Sequence, residues 1–432
     1  MEKLKEVREY DKICCNPDFR NEYAYIPKEA FADLVKFIHE YTSYENQADA
    51  LEFLKIGCRR NVGDIISVTN YVGLIQMKNG YQIQVLPKID FSSGSDNENR
   101  DTKRIFLRML SSMKDFPSKV FNDANLKTEK MSLYEIFINM YLLEVRTLVK
   151  HGIKSTYVSH EDNLHYFKGK LVVNEHLKRN SAHGERFYVS YDEFMVDRAE
   201  NRIIKATLLK LQKVSYSAEN QKEIRQLLIA FEMIKPSINY QKDFSQVVID
   251  RSTKEYSMLM PWSRVFLMNK SFSTFSGSIN ARALLFPMEK VFESYVAQQL
   301  KKALWDLNWS ISCQDKGYYL FDTPKQFALR PDIVLTRDDG SIIILDTKWK
   351  RLIDNPKKNY GISQADMYQM YAYSKKYDTS EIWLLYPVTY EMKDKATISY
   401  SSDDGVKVTV FFVDVANIEN SVSALLDILS KS

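Results

Sequence analysis

Apolar and polar positions alternate along this chain with two distinct periods, and the switches between them divide it. After Pro27, the residues Phe31, Leu34, Val35 and Ile38 recur at helical spacing and predict a helix over 27–41. The pattern then becomes two-residue alternation. It predicts strands at 65–68, 71–77 and 81–87, the last pair joined through the turn signal Asn79-Gly80. A polar run from Ser92 to Asp101 reads as a linker. Helical spacing returns over 104–113 and 132–151; Ser132 and Glu135 suggest a capping box at the start of the second helix, and Gly152 ends it. Residues 153–193 read as extended, with a basic loop at 178–186, and 197–233 as helical.

A further boundary is expected near 271–277, ahead of a helix at 286–304. From there the predicted order is helix, a strand at 309–313, a hairpin of 328–335 with 342–349, a helix at 364–377, strands at 381–386 and 406–413, and a final helix. That succession predicts a mixed sheet with helices on both faces. The whole is a multidomain chain combining α+β and α/β parts. Residues 1–101 form a β-rich domain, 102–275 a mainly helical middle region, and 276–432 an α/β domain.

Composition sharpens this only modestly. At 45% hydrophobic and 27% charged residues, the 432-residue chain has the make-up of a globular protein. No internal repeat is evident. With 60 basic against 56 acidic residues the net charge is +4, so nucleic-acid binding by bulk charge is excluded and any such contact must use local patches or a partner. Cys14, Cys15, Cys58 and Cys313 have no metal-finger spacing and read as free thiols. No signal peptide or membrane-length apolar run is present, which predicts a cytoplasmic protein.

The chemistry concentrates in the last third. Arg330-Pro331-Asp332 leads into Ile333-Val334-Leu335. Past an Asp339-Gly340 turn comes the apolar run Ile342-Ile343-Ile344-Leu345, ending in Asp346-Thr347-Lys348. Residues two apart on a strand share a face, so Asp346 and Lys348 point together, and the hairpin brings Asp332 back beside them. Two carboxylates and a lysine are the equipment of a magnesium-dependent phosphodiesterase. Asp332, Asp346 and the Thr347 backbone carbonyl are expected to ligate the metal, which would activate water, while Lys348 would stabilise charge on phosphorus. Gln369 and Tyr373, one helical turn apart, and Glu293, a turn after Glu289, are supporting candidates. Ser363 and Asp366 are the expected N-terminal cap residues of the helix at 364–377.

The segments Ala328 to Asp332, Ile344 to Trp349, and Gln369-x-x-x-Tyr373 resemble motifs of the PD-(D/E)xK nuclease superfamily in its RecB-like branch. Val72 to Ile75, Ile83 to Lys88, Phe167 to Leu171, His176 to Asn180, Tyr191 to Phe194 and Asn201 to Ile204 narrow the resemblance to the McrC family, the nuclease subunit of McrBC- and LlaJI-type restriction systems. That resemblance implies a restriction-endonuclease-like C-terminal domain with Asp332, Asp346 and Lys348 as its triad. It implies cleavage of double-stranded, often cytosine-modified, DNA together with an McrB-like AAA+ GTPase ring. The N-terminal domain would bind and stimulate that partner, and GTP would be held by the partner. This chain itself has no P-loop spacing.

Fainter signals remain. Arg330 and Lys350 beside the motifs, and Arg179 and Arg186 in the basic loop, are candidates for phosphate contact. Cys58-Arg59-Arg60 and Lys88 are candidate partner contacts. The six histidines form no convincing ligand set. Two alternatives stand beside the endonuclease: a non-cutting activator of the GTPase, against which the intact triad argues, and a stand-alone repair exonuclease, against which the long non-nuclease portion argues.

Overall fold

A computed structural model describes residues 4–42, 53–77, 81–89, 98–113, 116, 131–251, 253–268, 282–393, 395 and 397–431. The expected Asn79-Gly80 turn, the 271–277 boundary and most of the 92–101 linker lie outside them. The end of that linker does not: Glu98–Leu110 is a helix, so residues 98–101 belong to it. Its apolar residues Ile105, Phe106, Leu107, Met109 and Leu110 are all buried.

Contacts group the chain into two compact units, 1–133 with 271–432, and 134–270. The sequence pattern, by contrast, divided it near 101 and 275. Strand Arg282–Pro287, whose last two residues the pattern places at the start of a helix, belongs to the first of these units. It pairs antiparallel with Tyr71–Gln76 and completes a sheet ordered Leu4–Arg8, Gln82–Leu86, Tyr71–Gln76, Arg282–Pro287. The pairing brings backbones very close at Gly73, which faces Leu285 at φ +141 and whose absent Cβ would lie 1.9 Å from the Leu284 carbonyl oxygen. Only glycine fits there. A second sheet is ordered Ala24–Tyr25, Lys12–Cys14, Gly63–Val68, Leu54–Arg59. Helix Lys28–Thr42 contributes Phe31, Leu34 and Ile38 to a core shared with Ile13, Ile66, Ile75, Val85 and Leu285.

The same unit holds a six-stranded mixed sheet, ordered Ser310–Cys313, Ile333–Thr336, Ile342–Thr347, Glu381–Pro387, Lys407–Val413, Thr397–Ser401. The central strands run parallel and the outer ones antiparallel. Helix Gln364–Tyr377 links the first two parallel strands, the crossover a parallel pair requires. Its Met370, Tyr373 and Tyr377 bury against Ile344, Leu384 and Val410. The two-residue period places the even-numbered residues of Ile342–Thr347 on that helix's side, so Asp346 faces the helix too. Thr397–Ser401 and the small hairpin Tyr319–Asp322/Lys325–Ala328 were not foreseen. Both are short strands of four or five residues: Thr397–Ser401 turns only Ile398 and Tyr400 toward the core, and the hairpin leaves most of its apolar residues exposed.

The unit 134–270 combines helices Ala199–Val214, Ala218–Ala230 and Tyr256–Met268 and most of Leu133–His151 with a three-stranded antiparallel sheet, Thr156–Leu164, Phe187–Met195, Lys170–Leu171. The stretch expected to be extended throughout contains a helix, Val173–Asn180, inserted between the strands. The Glu135 carboxylate also ties neighbouring elements together, accepting hydrogen bonds from Ser215 Oγ, Tyr216 N and Asn220 Nδ2.

Candidate active site

The site forms where the antiparallel ladder between Ile333–Thr336 and Ile342–Thr347 ends. Gly340 turns the hairpin at φ +83, and its N–H donates to the Arg337 carbonyl. The last registered pair is Ile333 with Leu345. One residue outside it, Asp332 replaces the missing strand: its Oδ2 accepts from Thr347 N at 2.8 Å and Thr347 Oγ1 at 2.7 Å. A side chain thus caps a strand edge that would otherwise leave a donor unpaired. The Thr347 carbonyl lies beyond that ladder's last pair as well.

Asp346 is only 1% exposed. Lys348 Nζ stands 2.5 Å from its Oδ2 and forms an ion pair with it. Burial and the nearby Asp332 charge raise the Asp346 carboxyl well above the usual range, with Lys348 opposing them. Burial works against the Lys348 charge, yet Asp346, Asp366 and Asp332 outweigh it and hold the ammonium above its ordinary value. Lys348 Nζ also donates to Gln369 Oε1 at 3.3 Å, and Gln369 Nε2 donates to the Tyr373 hydroxyl at 2.7 Å. Asp346, Lys348, Gln369 and Tyr373 therefore form one continuous polar line, brought together from a strand end and a helix face.

Glu293 reaches the site from helix Met288–Ala303 through a residue that the sequence pattern did not single out. Gln314 Nε2 donates to Glu293 Oε1 at 2.6 Å and to Asp332 Oδ1 at 3.3 Å, and the Gln314 backbone N–H donates to the Asp332 carbonyl. Gln314 follows strand Ser310–Cys313 in a left-handed conformation, φ +53. Nothing in its local sequence marks it, because its partners lie 18 and 21 residues away. Desolvation, then the Asp332 charge, pushes Glu293 up to about 7. Glu289, one turn earlier, is exposed.

Trp349, directly after Lys348, anchors the strand end from the other side. It is buried, its ring centroid 5.4 Å from that of Phe292. Its Nε1 donates to both oxygens of Glu9, at 3.0 and 3.2 Å, and Glu9 also accepts from Lys88 N. Lys88 Nζ in turn donates to the Trp349 carbonyl at 3.2 Å. Burial raises the Glu9 carboxyl and lowers Lys88. Lys88 is thus part of the scaffold beneath the site.

The remaining candidates are placed elsewhere. Lys350 is paired with Asp366 at 2.6 Å, and Asp366 therefore serves Lys350; Ser363 caps its helix by position without a side-chain bond. Arg330 is exposed beside Asp332. Arg179 and Arg186 belong to the other unit, where Arg179 pairs with Glu175 and lies over the Tyr188 ring.

The donor set is all oxygen, with a buried carboxylate at its centre and mutually repelling acids around it. These features fit a hard divalent cation. Among the described residues no three His, Cys, Asp or Glu side chains gather at metal-holding distance. The expected set of Asp332, Asp346 and the Thr347 carbonyl holds only two carboxylates, a number magnesium would accept.

Comparison with known proteins gives a consistent picture. A family model described as McrBC 5-methylcytosine restriction system component matches residues 66–387. Among solved structures, a half-complex from the tetradecameric assembly of Thermococcus gammatolerans McrB AAA+ hexamers with bound McrC superposes at a TM-score of 0.74, with 19% identity over 99% of each chain. A cryo-EM structure of the Thermococcus gammatolerans McrBC complex superposes at 0.51, with 20% identity over 70% of this chain and 88% of that one. No curated protein matches the sequence.

Proposed function

Since the chain belongs to the McrBC 5-methylcytosine restriction system component family, we propose that it is the DNA-cutting subunit of such a system. It acts as a magnesium-dependent endonuclease with a PD-(D/E)xK-type C-terminal fold. Its partner is an McrB-like AAA+ GTPase ring, which binds the GTP and whose hydrolysis it stimulates through the N-terminal region. The fold shared with an McrC bound to McrB hexamers supports that partnership. The observation that carries the chemistry is the buried Asp346 carboxylate, paired with the Lys348 ammonium at 2.5 Å and repelled by Asp332.

Bound by Asp332, Asp346 and the Thr347 carbonyl, a magnesium ion would offset phosphate charge and make water a better nucleophile. The protein's own groups do the rest. Lys348, kept protonated by its acidic neighbours and steered by Gln369, presents its ammonium to the phosphate oxygens as negative charge builds there. Glu293, ionising near neutrality, accepts the proton that the attacking water loses. The water oxygen bonds to phosphorus as the bond to the leaving sugar oxygen breaks. Tyr373 locks Gln369 in place from below.

Asp346→Ala, assayed with the partner, GTP and magnesium, is expected to abolish cleavage while GTPase stimulation persists. Continued cutting by a clean preparation of that variant would refute the site assignment.

A further inference from the structure

Immediately before Arg330-Pro331-Asp332 the chain makes a two-stranded hairpin, Tyr319–Asp322 with Lys325–Ala328, that pairs with no other sheet. Its apolar side chains face outward rather than into a core. Phe327 is 68% and Phe321 57% exposed, with Tyr318 and Leu320 also in the open. The two phenylalanine rings meet edge to face, 5.9 Å apart, and so brace each other.

The hairpin's base is firmly tied to the site. Tyr318 packs 4.3 Å from Tyr377, Leu329 N donates to the Tyr318 carbonyl, and Lys376 pairs with Asp322 at 2.7 Å. Tyr377 also donates to Asp315 Oδ2. These anchors sit on the helix that carries Gln369 and Tyr373. They also engage both acids of the segment, Asp315 and Asp322. Lys316, Lys325 and Arg330 are exposed, and none has a carboxylate partner among the described residues. Three cations without a carboxylate partner therefore flank two braced aromatic rings, the nearer ring five residues before Asp332.

A four-residue strand is about 13 Å long, comparable to the width of a DNA groove. The hairpin runs directly into Arg330-Pro331-Asp332, so a duplex whose phosphate reaches Asp332 would lie close to it. We infer that the hairpin is a DNA wedge: Phe321 and Phe327 press against base edges or an opened base step beside the scissile phosphate. Lys316, Lys325 and Arg330 meanwhile grip the flanking backbone. Apolar side chains used this way unstack a step and set the path of the duplex, while the phosphate contacts fix its register. The inference rests on the nuclease reading for the identity of the ligand, but it concerns binding and needs no cut.

The test is therefore binding. The chain with its GTPase partner, carrying Asp346→Asn to prevent cleavage, is titrated with duplex DNA containing 2-aminopurine. The same is done after adding Phe321→Ser with Phe327→Ser. Both rings are exposed, so thermal unfolding should be unchanged. Affinity is expected to fall about tenfold or more, in the range of losing one base–aromatic contact, and the fluorescence rise that marks unstacking should disappear. Lys316→Ala with Lys325→Ala should instead lower the slope of log affinity against log salt by about two. Binding within twofold of the parent, with the fluorescence rise intact, overturns the proposal. So does a loss that tracks a change in self-association by sedimentation, which would make the hairpin a contact between copies. If the wild-type complex never cuts but the wedge variants still lose DNA, the nuclease reading fails and the wedge stands.

Discussion

Glu293→Gln should make the metal-free protein more stable at pH 8 while impairing its chemistry. In the folded protein Glu293 loses its proton only near pH 7, against an ordinary 4.5. The unfolded chain therefore releases that proton first, and between those values the folded state binds more protons than the unfolded one. Stability accordingly falls as pH rises from about 4.5 to about 7, and the full penalty is present above that window. At about 1.4 kcal/mol per pH unit the gap corresponds to roughly 3 kcal/mol. The carboxylate is half-buried, and solvent screening reduces this to about 1–2 kcal/mol. A glutamine has the same shape, can still meet Gln314, and carries no charge for burial and Asp332 to oppose. For a unit of this size the expected gain is roughly 2–6 °C in Tm. Thermal scans with chelator at pH 8 and at pH 4.5 supply the measurement. The variant should unfold later than wild type at pH 8 and together with it at pH 4.5, and magnesium should narrow the difference at pH 8. A variant no more stable at pH 8, or equally stabilised at both values, would refute the electrostatic account of this site.

Trp349→Phe keeps the ring against Phe292 but removes the donor to Glu9, leaving a buried carboxylate one partner short. The expected loss is about 1–3 kcal/mol by urea unfolding, with slower cleavage because Lys348 is the adjacent residue; unchanged unfolding would show that the indole does not hold Glu9. Gly73→Ala forces a Cβ to within 1.9 Å of the Leu284 carbonyl oxygen at φ +141. It should destabilise the unit by about 3 kcal/mol or more, and an alanine variant unfolding within about 1 kcal/mol of wild type would contradict the observed strand pairing.

Much of the site's placement was legible because it is local. A hairpin with an Asp-Gly turn, an apolar strand and a two-residue period are enough to set Asp332, Asp346 and Lys348 side by side. Helical spacing likewise aligned Gln369 with Tyr373. Each of these depends on residues within one or two elements, where geometry follows from backbone period alone.

What the sequence could not convey depends on long-range pairing. Gln314 enters the site through partners in two other elements, and its own neighbours give no hint. Glu9 and Lys88, just past strands Leu4–Arg8 and Gln82–Leu86, hold Trp349 some 340 and 260 residues later. Strand Arg282–Pro287 joins a sheet begun before residue 80, so a pattern that resembled the start of a helix became the strand uniting both ends of the chain. The apolar period determined which residues would be buried and which acids would emerge together. Only the tertiary fold decided what they would be buried against, since close approach, desolvation and charge coupling are properties of neighbours in space.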